Sequence, residues 1–460
     1  MAGQELIQSI NPTTEEVLAT FEATTPQAAD QALDKARNAF LAWRDRSFSE
    51  RGRFIGAAAN YLRKHKSRLA GLVTAEMGKP ITQAEAEVEK CAWNCEFYAA
   101  QAEALLANEP HTSDGESYVD FVPLGTVLAI MPWNFPLWQV FRFAAPALMA
   151  GNTAVLKHAS NVPQCALAIE EVFRASGLPD GAFQSILISG GAVNKLIEDP
   201  RIVAVTLTGS DKTGSQVAEA AGRAIKKTVL ELGGSDPFIV LEDADIDAAA
   251  ETAVRARYQN TGQSCIAAKR FIAVESVFNK FQKRFVETVE ALHVGDPTDR
   301  SNQIGPLARS DLRDTVESQV QRSVRQGAKL LTGGKRLDRP GYFMQPTVLT
   351  NVSRQMPAYC EEVFGPVASL IKVGTTDEAI QVANDSPYGL GANLWTSDLG
   401  RGRNLARKIE SGQVFINGMV ASDPRLPFGG IKRSGYGREL SAYGIKEFVN
   451  IQTVWIGRAN

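Results

Sequence analysis

The chain has 460 residues, more than a single hydrophobic core organises well, so two domains with separate cores and a cleft between them are expected. Apolar residues make up 44%, charged residues 22%, and the formal net charge is −2, so electrostatics gives no reason to expect nucleic acid or an anionic membrane as partner, and the expected ligand is small. The opening MAGQELIQSINPTTEE has neither a basic segment nor an apolar core, and no apolar run reaches the roughly 18 to 20 residues that span a bilayer, so a soluble cytoplasmic protein is expected.

In chain order, Thr25 caps and Pro26 opens a first helix whose Ala29, Ala32, Leu33, Ala36, Phe40 and Trp43 share one face, read as core. YLRKHKSRLAG reads as the solvated side of a helix. In EVEKCAWNCEFYAA a helical pattern places Cys91 and Cys95 four apart, at most half of a zinc site and better read as packing. Five cysteines without a Cys-x-x-Cys pair, and four histidines without a His-x-x-x-His pair, make neither a disulfide framework nor a metal site expected. The runs GTVLAIMP, NTAVLKHA, FQSILIS and IVAVTLTG read as strands alternating with helices such as QCALAIEEVFRASG, which Gly177 ends. This is the pattern of an α/β fold with largely parallel sheets. A boundary is expected near residue 232, in LGGSDPFIVLEDADIDAAAE, and the strands RFIAVES, GPVASLIKV and GQVFINGM then continue the alternation.

Four stretches bear on chemistry. In AVTLTGSDKTGSQVAEAAG a strand runs through Gly209 and Ser210 into a helix carrying Gly214, an arrangement that aims backbone N–H groups at a phosphate but also occurs for structural reasons alone. Lys157 ends the strand NTAVLK, at the carboxyl edge where open α/β sheets bind ligands; it is a ribose or phosphate ligand, or a surface lysine. The glycine-rich PFGGIKRSGYGREL lacks the Gly-Lys-Ser/Thr of a P-loop. In MPWNFPLWQVFR, Asn134 is a turn former or a donor aimed into a dry pocket, as an oxyanion requires. Cys265, in QNTGQSCIAAKRF, is a buried filler or a nucleophile.

The segments PWNFP (132–136), TLTGS (206–210), LELGGSDPFIV (230–240), GQSC (262–265), EEVFGPV (361–367) and PFGGIKRSGYGREL resemble, in order and over essentially the whole chain, the NAD(P)-dependent aldehyde dehydrogenase superfamily, and within it the succinate-semialdehyde dehydrogenases. The resemblance implies an aldehyde dehydrogenase-like α/β fold: a Rossmann-like cofactor domain (1–115 and 136–233), an α/β catalytic domain (234–445) and a β oligomerisation element (116–135 and 446–460) giving a homodimer or homotetramer. It also implies Cys265 as nucleophile, an oxyanion hole from Asn134 and the Cys265 N–H, and Glu231 as the base for thioester hydrolysis. Trp133, Lys157, Ser160, Gly209, Ser210, Gly214, Glu362 and Phe364 become the cofactor set. Ser160 stands where NAD-preferring relatives carry a glutamate against the adenosine ribose, so NADP is expected in preference to NAD. His158 replaces the usual proline.

Arg142, Ser422, Trp138, Phe135 and Phe428 are the implied substrate set. An arginine among aromatics needs a carboxylate, from a substrate such as succinic semialdehyde or from the protein itself, which would leave the tunnel to neutral aldehydes. Ile266 and Ala267 leave no second cysteine beside Cys265 for a disulfide switch, so direct oxidation or adduct formation is expected there. A non-catalytic binding role is disfavoured by the intact Cys265, Glu231 and Asn134, and a CoA-acylating reaction by Glu231.

Overall fold

The computed structural model describes residues 5–111 and 117–457. Of the expected segment boundaries, residues 1, 115, 116 and 460 lie outside them.

The helix expected near the start runs Pro26–Trp43, with the Thr25 side chain accepting from the Ala28 N–H and Ala29, Ala32, Leu33, Ala36 and Trp43 buried. The long helix Ile81–Leu105 buries Cys91 and Cys95 completely, as packing requires. The four strands read from the sequence form one parallel sheet in the order Ile202–Thr208, Thr126–Met131, Thr153–His158, Phe183–Ile186. Lys227–Glu231 adds a parallel strand beyond Ile202–Thr208, and the short Gly435–Tyr436 closes that edge antiparallel. Crossover helices such as Pro163–Ala175 and Asp211–Arg223 cover the faces, which is why the strand interiors are apolar on both sides.

A second, seven-stranded sheet is built on Asp236–Val240, Ala268–Val274, Val367–Val373, Gly391–Trp395 and Gln413–Ile416, all parallel, with Thr347–Thr350 and an antiparallel Lys329–Thr332 at one edge. Each sheet has its own cores, as the length demanded.

A third sheet pairs Tyr118–Pro123 with Val449–Val454 and Glu109–Pro110, antiparallel throughout. Two boundaries expected from the sequence shift accordingly. Thr126–Met131 was expected with the oligomerisation element, yet it pairs on both sides inside the six-stranded sheet, because every one of its residues is buried. Gly435–Tyr436, expected in the second domain, hydrogen-bonds to Leu230 and Glu231 of the first.

A candidate active site at the seam of two sheets

The carboxyl edge of the six-stranded sheet meets the amino edge of the seven-stranded one. From the first come the loop after Met131, carrying Trp133, Asn134 and Phe135, and Glu231 at the end of its strand. From the second comes the loop before Ala268–Val274, carrying Cys265.

That loop is held in an unusual backbone. Asn260 and Thr261 have φ of 53° and 56°, and Gly262 follows at 74°. Positive φ in a β-branched residue is costly and persists only where its surroundings fix it. Here Asn260 Nδ2 donates to Asn134 O (2.8 Å) and Gln263 O (2.9 Å), Thr261 Oγ1 accepts from the Gly305 N–H (3.1 Å), and Gln263 Oε1 accepts from the Ala308 N–H (2.9 Å). Beyond the nucleophile, the buried Lys269 ammonium donates to the carbonyls of Ser264, Cys265 and Ala267 at 2.9–3.1 Å, clamping the chain on either side of the thiol.

Cys265 is half-buried, and burial pushes its thiol up to about 12, with Arg142 and Lys269 pulling down and Glu362 and Glu231 pushing up. Asn134 is buried, and its amide is oriented from both ends: Gln139 Nε2 donates to Oδ1 (3.1 Å) while Nδ2 donates to Gln263 O (3.1 Å). The second Nδ2 hydrogen is left over. The Cys265 N–H makes no backbone hydrogen bond among the described residues, so two donors remain uncommitted on the loops that carry Asn134 and Cys265. Glu231 is 2% exposed, neither carboxylate oxygen has a hydrogen-bond partner, and burial followed by the Glu439 charge lifts it well above the ordinary carboxylate range. A Cβ on Gly429 would stand 2.7 Å from Glu231 Oε1, so the missing side chain there makes room for this carboxylate.

A cavity of about 440 Å³ joins Cys265 to Phe135, Trp138, Arg142, Ser422 and Phe428, bringing the whole expected substrate set onto one wall system with the thiol. The structure pairs Arg142 with a carboxylate of the protein itself. Its guanidinium ion-pairs with Glu439, lies 4.4 Å from the Phe428 ring centroid, and donates to Thr208 Oγ1 (3.4 Å). Lys269, Glu439 and Lys90, which also lines the cavity, were not singled out from the sequence; the signal was present in charged side chains inside otherwise apolar segments.

Of the expected cofactor residues, Trp133, Lys157, Ser160, Gly209, Ser210 and Gly214 lie at or beyond the carboxyl edge of the first sheet, and Glu362 and Phe364 on the loop before Val367–Val373 of the second. Lys157 is half-buried and makes no hydrogen bond or ion pair among the described residues, with exposed Ser160 three positions on. His158 is buried and drawn down to about 4 by burial. Its Nδ1 accepts from the Ala159 N–H (2.8 Å), so Nε2 carries the proton and donates to Pro136 O (2.8 Å), tying the Lys157 loop to the Asn134 loop. Ser210 caps the helix Asp211–Arg223, accepting from the Thr213 N–H (3.2 Å). Gly214 is buried, and a Cβ there would meet Leu232, just past the Lys227–Glu231 strand, at 2.6 Å, so a glycine lets the helix pack close against that segment. Glu362 Oε1 accepts from the Gly234 N–H (2.9 Å) and lies 3.7 Å from Lys269 Nζ. Trp133 and Phe364 meet edge to face, 5.8 Å apart. A half-buried ammonium and a helix amino terminus at the first sheet's edge, with an aromatic pair across the seam to the second, fit a dinucleotide with an added phosphate.

Fold and site define an oxidoreductase of the thiol-dependent aldehyde-oxidising class. Residues 1–454 match the aldehyde dehydrogenase family, and the chain belongs to it. It is 53% identical, over 98% of its length and 99% of the relative's, to succinate-semialdehyde dehydrogenase (NADP(+)) 1 of Mycobacterium tuberculosis. It is 54% identical to the probable succinate-semialdehyde dehydrogenase (NADP(+)) of Synechocystis sp., with 98% and 99% covered. Among solved structures it superimposes on succinic semialdehyde dehydrogenase from Streptococcus pyogenes, in complex with NADP+, with a TM-score of 0.96 at 40% identity, covering 98% of this chain and 100% of that one.

Proposed function

We propose that the protein oxidises succinic semialdehyde to succinate with NADP in preference to NAD, as a cytoplasmic homodimer or homotetramer. The observation that carries the reading is one cavity uniting the Cys265 thiol with cationic and hydroxyl groups on its walls. The full-length identity to the relatives above supports the choice of aldehyde and cofactor.

Glu231, a buried carboxylate with unengaged oxygens, takes the thiol proton as Cys265 attacks the aldehyde carbonyl. The free Asn134 amide hydrogen and the Cys265 N–H receive the oxyanion of the resulting thiohemiacetal. The nicotinamide, when bound, supplies the hydride acceptor. Cys265 then holds the acyl group as a thioester; Glu231, once it has released the thiol proton to solvent, takes a proton from the water whose oxygen bonds to the acyl carbon and displaces the Cys265 sulfur. Lys157 and Ser160 would hold the adenosine ribose end, where a lysine without a carboxylate neighbour favours an added phosphate. Glu362 and Phe364 would hold the nicotinamide end.

The Arg142–Glu439 pair favours a second reading, a tunnel for neutral aldehydes. Initial rates with succinic semialdehyde and with butyraldehyde, each with NADP and with NAD, separate the two. A clear preference for the semialdehyde and NADP is expected; equal rates with both aldehydes would select the second reading.

A further inference from the structure

Three cations line the cavity, and they are in different states. Arg142 is taken up by Glu439 and Thr208. Arg255 is exposed, where water screens it. Lys90 is half-buried, with its Nζ 4.5 Å from the Trp138 ring centroid and donating to Ser422 Oγ at 2.7 Å. No carboxylate among the described residues forms an ion pair with it: the adjacent Glu89 pairs with Arg63 (2.7 Å), and the two carboxylates whose charges act on Lys90, Glu87 and Asp423, are already committed. Glu87 ion-pairs with Lys79 and accepts from the N–H groups of Leu137 (2.9 Å) and Trp138 (3.0 Å). Asp423 is held by Arg425 (2.6 Å).

We propose that Lys90, with Ser422 beside it, is the anchor for the carboxylate of an ω-carboxylated aldehyde whose carbonyl lies at Cys265. An ammonium has three donors, and the protein supplies one acceptor and one aromatic face. A cation withdrawn from water without an anion is costly, and an arriving carboxylate removes that cost. Ser422 accepts from Lys90, so its own hydroxyl hydrogen is free to donate to the second carboxylate oxygen. Glu87, three residues before Lys90 on the same helix, ties that turn to the amino terminus of the Trp138–Met149 helix and so fixes the anchor relative to the tunnel aromatics. Burial draws the Lys90 ammonium down to about 8, in keeping with a charge that lacks its partner.

The inference rests on the proposed substrate, and its test separates the two. With NADP saturating, kcat/KM is measured for succinic semialdehyde and butyraldehyde in wild type, Lys90→Met and Lys90→Arg, together with competitive inhibition by succinate. Lys90→Met is expected to lower the semialdehyde-to-butyraldehyde ratio at least tenfold, chiefly through the semialdehyde KM, and to raise the succinate inhibition constant in step. Lys90→Arg, which keeps the charge, is expected to retain most of both and to show that the Met variant's loss is one of charge. A wild-type ratio well above one that survives in Lys90→Met overturns the anchor and leaves the substrate standing. A wild-type ratio near one overturns both.

Discussion

The resting Cys265 is a thiol, and this sets its behaviour towards electrophiles. With the group pushed up to about 12 by burial, the thiolate fraction of the free enzyme rises about tenfold per pH unit across the neutral and mildly alkaline range. The iodoacetamide inactivation rate should therefore climb with unit logarithmic slope from pH 7 to 10; a plateau near 8 would mean a thiolate already stabilised without substrate or cofactor. Lys90 has the opposite sign. Its charge is present below about 8 and lost above, so the semialdehyde-to-butyraldehyde ratio of kcat/KM should fall as pH rises through that value. Taking a ratio cancels the Cys265 titration. Besides burial, the groups acting on Lys90 are Arg142, which lowers it, and Cys91, Asp423 and Glu87, which raise it. At Asn134, substitution by alanine should cost about 10² to 10³ in kcat, the usual loss for one oxyanion donor. It also strands the Gln139 amide, so a melting temperature lower by a few degrees is expected alongside.

The Cys265 loop illustrates what the elements add. Three consecutive residues in the left-handed region are held because the loop's own side chains bond backbone groups of distant segments, and Lys269 holds the other flank through three carbonyls. Lys269→Met should destabilise the protein by more than about 2 kcal/mol, since it orphans buried acceptors that face a charge, and should depress turnover as the thiol loses its fixed position. Denaturant unfolding and kcat measured together check both; a stable variant with normal turnover would show the clamp to be dispensable. The parallel strands were legible because their periodicity and glycine breaks are local signals, and ordered motifs pointed to Cys265, Glu231 and Asn134 as candidates. The state of Arg142 was not legible. Its partner Glu439 lies almost three hundred residues away, and only the fold brings Phe428, Glu439 and Arg142 together. The close packing of Gly214 on Leu232 was not legible either, since a glycine after a strand looks the same whichever neighbour it admits. The strand Thr126–Met131 was assigned to the neighbouring element because a boundary between two adjacent strands leaves no mark in composition.

At the scale of the whole molecule, the three-stranded sheet is the feature that a single chain leaves incomplete. Val449–Val454 forms its outer edge, paired on one side only, and carries Ile451 at 62% exposure, followed by Trp455 at 76% and Ile456 at 50%. An edge with free N–H and C=O groups and exposed apolar side chains invites pairing with another chain. The proposed oligomer would cover it. Light scattering coupled to gel filtration should therefore give a mass of two or four chains for the wild type, and Ile451→Lys with Trp455→Ser should shift it towards one. Because the catalytic loops are built from the two larger sheets, the dissociated variant should keep its Cys265 alkylation behaviour while losing thermal stability. A wild-type monomer, or a double variant that remains fully assembled, would show that this edge is not the contact that joins the chains.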